Sequence, residues 1–207
     1  MKPAGEAYAY HAERVAEGGP LVLVFHGTGG AEMQFVPLAR ELMPHAAIIA
    51  PRGDVSEHGA LRFFRRLGEG RYDMADLAAR TAAMAAFVEA QVETARPARV
   101  LGLGYSNGAN ILASVIFARP RLFDAAVLMH PLIPWTPEPA AVTTRVLITA
   151  GERDPICPPG ATRALEDWFA AQGAAVTSHW HPGSHEIDRS EIAAVAEFLR
   201  SDRKEEA

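Results

Sequence analysis

Six short apolar runs, separated by segments of helical period, constrain the fold of this 207-residue chain more than any other feature. The runs are rich in Val, Ile and Leu, and their nearly unbroken apolarity is typical of strands buried on both faces of a parallel sheet. They cover residues 21–25, 46–50, 100–103, 125–129, 146–150 and, with more polar residues among them, 176–180. Residues 8–14 are predicted to add an antiparallel strand at one edge.

The segments between the runs carry apolar residues at helical spacing. Helices are predicted over residues 33–43, 74–94, 109–118, 162–172 and 192–200, with Asp73 capping the second and Gly173 ending the fourth. The alternation indicates an α/β fold, in which a mostly parallel central sheet is flanked by helices and joined by right-handed crossovers. A functional site is then expected at the carboxyl edge of the strands.

Length indicates one domain over residues 1–207, since a chain of this size forms one well-buried core but not two. Residues 201–207 are charged and are predicted to be a frayed tail. The proline-rich segment 130–144 has room for a loop but not for a lid domain. The sequence therefore predicts an open cleft.

Charge and composition exclude several classes of partner. The net charge of −5 argues against a nucleic-acid partner, and no apolar stretch is long enough for membrane insertion. Residues 1–17 lack the apolar core of a signal peptide. The single cysteine, Cys157, fits a reducing compartment and is interpreted as a packing residue, so a cytoplasmic location is expected.

The sequence GYSNG at residues 104–108 joins a predicted strand to a predicted helix. Small residues around a serine let the backbone turn sharply, so that the hydroxyl projects from the sheet edge and the helix N-terminus faces developing negative charge. The motif alone is short and recurs by chance. The strand before it and the helix after it favour Ser106 as a nucleophile.

A carboxylate and a histidine follow, each just after a predicted strand. Asp154 lies in the turn GERDP, and His185 lies in the loop GSH. The order Ser, Asp, His is that of the α/β-hydrolase arrangement and differs from the orders of the chymotrypsin and subtilisin folds. Ser106, His185 and Asp154 are predicted to be nucleophile, general base and orienting carboxylate. The weaker alternatives are His181 for the base and Glu152 or Asp124 for the carboxylate.

The segment HGTGG at residues 26–30 is predicted to form an oxyanion hole. Glycines let backbone N–H groups turn inward, so the amides of Thr28 and of Asn107 are predicted to bind the oxyanion of a tetrahedral intermediate. A phosphate cradle is the alternative, but the lysine and Ser/Thr of a P-loop are missing. His26 is interpreted as a brace for this loop.

Candidate substrate-binding residues lie in an arginine-rich segment and on two loops. Guanidinium groups bind carboxylates bidentately, and aromatic rings line apolar pockets, which favours small substrates that bear a carboxylate. The candidates are Arg62, Phe63, Phe64 and Arg65, with Arg52 and Arg66 in the same cluster, and the loop residues Trp135 and Ile156. The favoured competing interpretation pairs these arginines with Glu69, Asp73 and Asp76 on a solvated face. Trp135 and Ile156 are equally interpretable as packing residues.

No metal or cofactor is expected. His179 and His181 are two residues apart on a predicted strand and face one way, but the sequence places no third ligand beside them.

Together these motifs resemble the α/β-hydrolase superfamily and, within it, the phospholipase/carboxylesterase family of acyl-protein thioesterases and bacterial carboxylesterases. The likeness spans nearly the whole chain: HGTGG, GYSNGA at 104–109, GERDPICP at 151–158 and GSHE at 183–186. Residues 51–53, 59–66 and 70–73 are similar to the hydroquinone-induced hydrolases and YahD-like esterases. The resemblance implies a serine hydrolase of small esters, with Ser106, Asp154 and His185 as its triad.

Two departures narrow this resemblance. The thioesterase branch typically carries Gln after the nucleophile, where this chain has Asn107, which counts against long acyl chains. The dienelactone hydrolases of the same fold use a cysteine nucleophile, and Ser106 argues against that identity.

The sequence thus predicts a carboxylesterase that forms an acyl-enzyme with a small-molecule ester and needs no cofactor. The alternatives are a lysophospholipase or thioesterase, and a non-catalytic ligand-binding protein of the same fold. The sequence leaves a homodimer open.

Overall fold

A seven-stranded sheet forms the centre of the computed structural model, which describes residues 8–13 and 18–201. The strands of the described residues are β1 Tyr10–Glu13, β2 Leu21–Phe25, β3 Ala47–Pro51, β4 Val55–Glu57, β5 Ala60–Arg62, β6 Arg66–Gly68, β7 Arg71–Tyr72, β8 Val100–Tyr105, β9 Ala125–Met129, β10 Arg145–Gly151 and β11 Val176–His181. The sheet has the order β1-β3-β2-β8-β9-β10-β11. β1 runs antiparallel to β3, and the other neighbours are parallel.

Helices cover both faces of this sheet, and the described ones are α1 Val36–Leu42, α2 Met74–Ala95, α3 Asn107–Ala118, α4 Pro159–Ala171 and α5 Arg189–Ser201. Apolar side chains of α2, α3 and α4 pack in one buried cluster, and those of α1 and α5 pack in a second. β2 and β9 are buried completely, and β3, β8 and β10 are buried at all but one end residue. Burial on both faces explains why these five strands are mostly apolar.

The predicted α/β fold is confirmed, and the predicted strands and helices are present with shifts of a few residues at their ends. Asp73 caps α2 by accepting the N–H of Asp76, and Gly173 follows α4 with a φ of 92°. The edge strand is antiparallel as predicted; residue 14 lies outside the described residues. Residues 202–207, which are most of the predicted tail, also lie outside them. So do residues 1–7 and 14–17 of the N-terminal segment, in which no signal peptide is predicted.

Two small hairpins, β4–β5 and β6–β7, were not predicted. Their strands are two or three residues long, which is too short for a pattern of alternating burial to appear in the sequence. They occupy the connection between β3 and α2, above the carboxyl edge of the sheet. Residues 130–144 form an irregular loop, and no lid domain is present in the part of the chain that the structure describes. Within that part, no helix combines the length and apolarity needed to cross a membrane.

Candidate active site

Ser106 lies in a sharp turn between β8 and α3. Its φ of 52° and ψ of −117° are unusual for a residue with a side chain, and its N–H donates to the Met129 carbonyl at 2.8 Å. A Cβ on Gly104 would lie 2.6 Å from the Gly108 carbonyl oxygen, and one on Gly108 would lie 2.4 Å from that of Phe25. The two glycines are needed because β8, α3 and β2 approach one another too closely for any side chain.

The three predicted triad residues meet at the carboxyl edge of the sheet. Ser106 follows β8, Asp154 follows β10 and His185 follows β11, and all three strands run parallel. The Ser106 hydroxyl lies 2.9 Å from His185 Nε2, and His185 Nδ1 lies 2.7 Å from Asp154 Oδ2. One continuous chain of hydrogen bonds therefore joins serine, imidazole and carboxylate.

Asp154 is buried, with 3% of its surface exposed, and its carboxylate is fully hydrogen bonded. The backbone N–H groups of Ile156 and Cys157 donate to Oδ1 at 2.8 and 2.9 Å. Burial alone raises the pKa of Asp154, but the hydrogen bonds from Cys157 and from the two histidines on its carboxylate outweigh it, and the pKa is lowered. The carboxylate is ionised at neutral pH.

The alternative triad members lie elsewhere. His181 is buried at the end of β11, where its Nδ1 accepts the Gly183 N–H at 3.1 Å. Glu152 is exposed. Asp124 accepts the N–H of Val100, which places it at the opposite end of β8 from Ser106. The geometry thus brings His185 and Asp154, not these residues, to the serine.

Thr28 and Asn107 both line the cleft beside Ser106. Among the described residues, the backbone N–H of neither one has a hydrogen-bond acceptor. The Asn107 side chain accepts the Phe63 N–H at 2.7 Å, and the Thr28 hydroxyl accepts from Arg62 at 2.7 Å. Side chains therefore hold this part of the edge in place and leave two backbone donors beside the serine.

His26 braces the loop after β2, as predicted. Its Nδ1 donates to the Gly27 carbonyl at 2.8 Å, and its Nε2 accepts the Gly53 N–H at 2.9 Å. Burial lowers the pKa of His26, which matches a neutral ring with these two roles.

The cleft in front of Ser106 has a volume of about 280 Å³. Arg62, Arg66, Tyr72 and Ile156 are among the residues that line it. Tyr72 was missed by sequence reasoning, as were Asn110 and Leu132. Asn110 donates to the Tyr72 hydroxyl, and that hydroxyl donates to the Leu132 carbonyl, both at 2.9 Å. These bonds tie the β6–β7 hairpin, α3 and the 130–144 loop into one wall.

Four of the six candidate substrate-binding residues do not line the cleft, and those predictions are corrected. Phe63 and Phe64 are completely buried in the core, against Phe25 and Tyr72 respectively. Trp135 packs on Tyr72 and lines a separate cavity of about 50 Å³. Arg65 is largely exposed, and its guanidinium lies on Asp73 and Asp76. Apolar burial drew the aromatic rings inward, and nearby carboxylates hold the arginine at the surface.

The remaining arginines divide between surface pairing and the cleft. Arg52 pairs with Glu32 outside the cleft. Arg66 lines the cleft but is held by Glu57 at 2.9 Å and by Glu69 at 2.8 Å. Arg62 is 4% exposed, and its carboxylate neighbour, Glu57, is farther away at 3.5 Å. Arg62 is thus the cleft arginine with the weaker carboxylate pairing.

Cys157 is buried beside the cleft, where its thiol donates to the His130 carbonyl at 3.2 Å. Burial raises the pKa of the thiol. The Cys157 thiol is therefore expected to be unreactive and to serve in packing.

One titratable residue beside the triad was missed. His130 is completely buried, and its Nδ1 lies 2.9 Å from the same Asp154 oxygen that receives His185. A usable signal was present in the sequence, because His130 directly follows the run 125–129, just as the other site residues follow their strands.

The fold and this edge define the chain as an α/β hydrolase. It belongs to the dienelactone hydrolase family, whose model matches residues 6–186. The expectation that Ser106 separates the chain from dienelactone hydrolases is therefore wrong at the level of the family. The family model matches 181 residues, and the identity of one nucleophile does not outweigh that match.

Relatives agree with this assignment. The chain is 36% identical to the putative hydrolase MhqD of Bacillus subtilis, over 87% of this chain and 92% of that one. The solved structure of Atu2452 from Agrobacterium tumefaciens, a protein of unknown function, is 54% identical, covers 96% of this chain and 98% of its own, and has a TM-score of 0.93. The Bacillus cereus carboxylesterase is 34% identical over 94% of both chains, with a TM-score of 0.89. The chain is a hydrolase of carboxylesterase type.

Proposed function

We propose that this protein is a serine carboxylesterase that cleaves small esters through an acyl-enzyme. The observation that carries the proposal is the hydrogen-bonded chain from Ser106 through His185 to Asp154, at the strained turn after β8. The carboxylesterase relatives support the reaction class. The ester is the expected partner, and the proposed setting is the cytoplasm, with no cofactor required by this chemistry.

In the proposed reaction, the Ser106 hydroxyl attacks the ester carbonyl while His185 Nε2 takes its proton. Asp154 holds the Nδ1 proton of His185 and stabilises the imidazolium. The N–H groups of Thr28 and Asn107 bind the oxyanion, and each donor of this kind contributes about 3 kcal/mol to transition-state binding. The imidazolium then protonates the leaving alcohol, and a water activated by His185 hydrolyses the acyl-enzyme.

The dimensions of the cleft support small substrates. A volume of about 280 Å³ holds a compact ester, and the wall formed by Tyr72, Asn110 and Leu132 is held by hydrogen bonds. This favours a carboxylesterase over a lysophospholipase or thioesterase, because a long acyl chain needs an extended apolar channel.

A fluorophosphonate probe tests the proposal. We expect the wild-type protein to be labelled at Ser106, located by peptide mass spectrometry, because the imidazole makes this hydroxyl nucleophilic. Ser106→Ala should lose the label, and Ser184→Ala, whose serine does not line the cleft, should keep it. Absence of labelling in folded protein would favour the non-catalytic, ligand-binding alternative.

We further propose that Arg62 makes the cleft selective for esters that bear a carboxylate. Its buried guanidinium lines the cleft, and its nearest carboxylate is 3.5 Å away. A buried cation whose carboxylate neighbour is this distant gains most from a second anion. The solved structure of YahD with malic acid shares the fold, with a TM-score of 0.86 at 22% identity over 94% of this chain and 98% of that one.

Arg62→Gln is expected to lower kcat/KM about tenfold more for a carboxylate-bearing ester than for a neutral ester of equal size, which corresponds to ~1.4 kcal/mol. The ratio is the informative quantity, because Arg62 also holds Thr28 and its loss lowers the rate with every ester. Arg65→Gln, outside the cleft, is the matched control and should leave the ratio unchanged. An equal loss with both esters in Arg62→Gln would refute the selectivity.

A further inference from the structure

A buried polar cluster continues the hydrogen-bond chain behind the triad. Asp154 Oδ2 receives His185 on one side, at 2.7 Å, and His130 on the other, at 2.9 Å. The second nitrogen of His130 lies 3.1 and 3.2 Å from the two oxygens of Glu191, a residue of α5. His130 and Glu191 are both completely buried. The series of hydrogen bonds thus runs from the serine into the core of the protein.

Counting protons gives the charge of His130. An ionised carboxylate accepts hydrogen bonds and donates none, so a ring nitrogen that bonds to it must carry a proton. His130 bonds to carboxylates through both ring nitrogens. With Asp154 and Glu191 both ionised, both nitrogens carry protons and the ring is an imidazolium. A buried glutamate with no cation beside it would be strongly disfavoured, and His130 supplies that cation.

The same side chains also have the spacing of a metal site, since single ligand atoms of His130, His181 and Glu191 lie within 4.8 Å of one another. The hydrogen bond from the Gly183 N–H to His181 Nδ1 argues against it. With Nδ1 as an acceptor, the proton of the His181 ring is on Nε2, the atom 3.3 Å from Glu191. A protonated nitrogen does not coordinate a metal. The cluster is therefore interpreted as a hydrogen-bonded network and not as a metal site.

We propose that His130 is a positioning residue: as a buried imidazolium between Asp154 and Glu191, it orients the triad carboxylate and sets the pH range of the reaction. Two backbone N–H groups hold Asp154 Oδ1, and His130 holds Oδ2. The plane of the carboxylate is therefore fixed independently of its hydrogen bond to His185. The His130 ring also lies beside the His185 ring, with the two ring centroids 5.1 Å apart. This role in catalysis rests on the proposed function.

The other groups around His130 are compatible with this charge. Burial alone lowers the pKa of His130, but its hydrogen bonds to Glu191 and Asp154 outweigh it, and the pKa is raised. For Glu191, burial raises the pKa and the bond from His130 lowers it, with a lowered pKa as the result. The titratable groups that face His130 or its two carboxylates are, from the surrounding elements, Tyr105, Asp154, Cys157, His181, His185, Glu186, Asp188 and Glu191.

The charge itself is tested by NMR of the wild-type protein labelled with ¹⁵N-histidine. At pH 8.5, two units above the ordinary histidine pKa of about 6.5, we expect both ring nitrogens of His130 to be protonated. The signals are assigned by their loss in His130→Gln or, if that variant does not fold, by nuclear Overhauser contacts to Tyr105 and Cys157. One unprotonated ring nitrogen on His130 at this pH would overturn the proposal.

The effect on catalysis is tested with Glu191→Gln, which removes the need for the second proton on His130. Without the ion pair the charge distribution around Asp154 changes, so the midpoint of the acid limb of the kcat/KM profile should move by about 1 pH unit. His179→Gln, a surface change on the same strand as His181, should leave the midpoint unchanged. A lower rate with an unmoved midpoint would reduce Glu191 to a structural role.

The two readouts separate this proposal from the proposed function. If the protein hydrolyses no ester while His130 carries two protons, the esterase assignment fails and the ion pair stands without a catalytic role. If esterase activity depends on Ser106 while His130 carries one proton, only the present proposal fails.

Discussion

Replacing Ser106 with alanine is expected to lower kcat/KM for p-nitrophenyl acetate by roughly 10⁵- to 10⁶-fold, the loss typical of a triad nucleophile. The hydroxyl that forms the acyl-enzyme is absent from this variant, while His185 and the Thr28 and Asn107 amides remain. The methyl group of alanine fits where the serine side chain is, so the near-ultraviolet circular dichroism spectrum should not change. Initial rates corrected for spontaneous hydrolysis give the comparison.

The matched control is Ser184→Ala, one residue before His185 and outside the lining of the cleft. We expect its kcat/KM to stay within about threefold of the wild-type value, because surface changes of this kind have small effects. A Ser106→Ala protein that kept a tenth of the wild-type activity would mean that another group is the nucleophile, and the triad would have to be reassigned.

Gly108→Ala is expected to destabilise the protein strongly. The added Cβ would lie 2.4 Å from the Phe25 carbonyl oxygen and 2.5 Å from that of His26. Both contacts are with backbone, which cannot move aside as a flexible side chain does. Overpacking typically costs about 1–3 kcal/mol, and rigid backbone neighbours put this change at the upper end, so the free energy of unfolding in urea should fall by about 3 kcal/mol.

Gly160→Ala is the control for this change, since it also replaces a glycine in the first turn of a helix. A Cβ on Gly160 meets no atom within 4 Å, so its effect on stability should be within about 1 kcal/mol and in the stabilising direction. If Gly108→Ala unfolded at the same urea concentration as the wild type, the close approach of α3 to β2 would not be present in solution.

The electrostatics of the site depend on contacts that the sequence does not display. Asp154 and Glu191 are 37 positions apart, and His130 lies between them in space only because β9 and β10 are neighbours and α5 packs beneath them. The sequence predicts one carboxylate and one imidazole beside the serine. The second imidazole, His130, follows its strand in the same way, and this position is its signal in the sequence, since no motif surrounds it.

The arginine-rich segment shows that the directions of neighbouring side chains also do not follow from the sequence. Its sequence places Phe63 and Phe64 next to Arg62 and Arg65, and adjacency alone favours a common pocket. The hairpins β4–β5 and β6–β7 turn these neighbours in opposite directions, so that both rings enter the core, Arg65 faces solvent and Arg62 reaches the cleft. Strands of two or three residues carry too little periodicity to predict such directions.

The architecture and the location of the candidate site follow from the order of residues along the chain. Continuous apolar runs require burial on both faces, this requires a parallel sheet, and a parallel sheet brings Ser106, Asp154 and His185 to one edge whatever the details of packing. The tertiary structure decided which charges share a buried space. The ion pair of His130 with Glu191 and the burial of Arg62 at the wall of the cleft arise from packing between distant elements, because the energy of a charge depends on the partners and solvent around it in space.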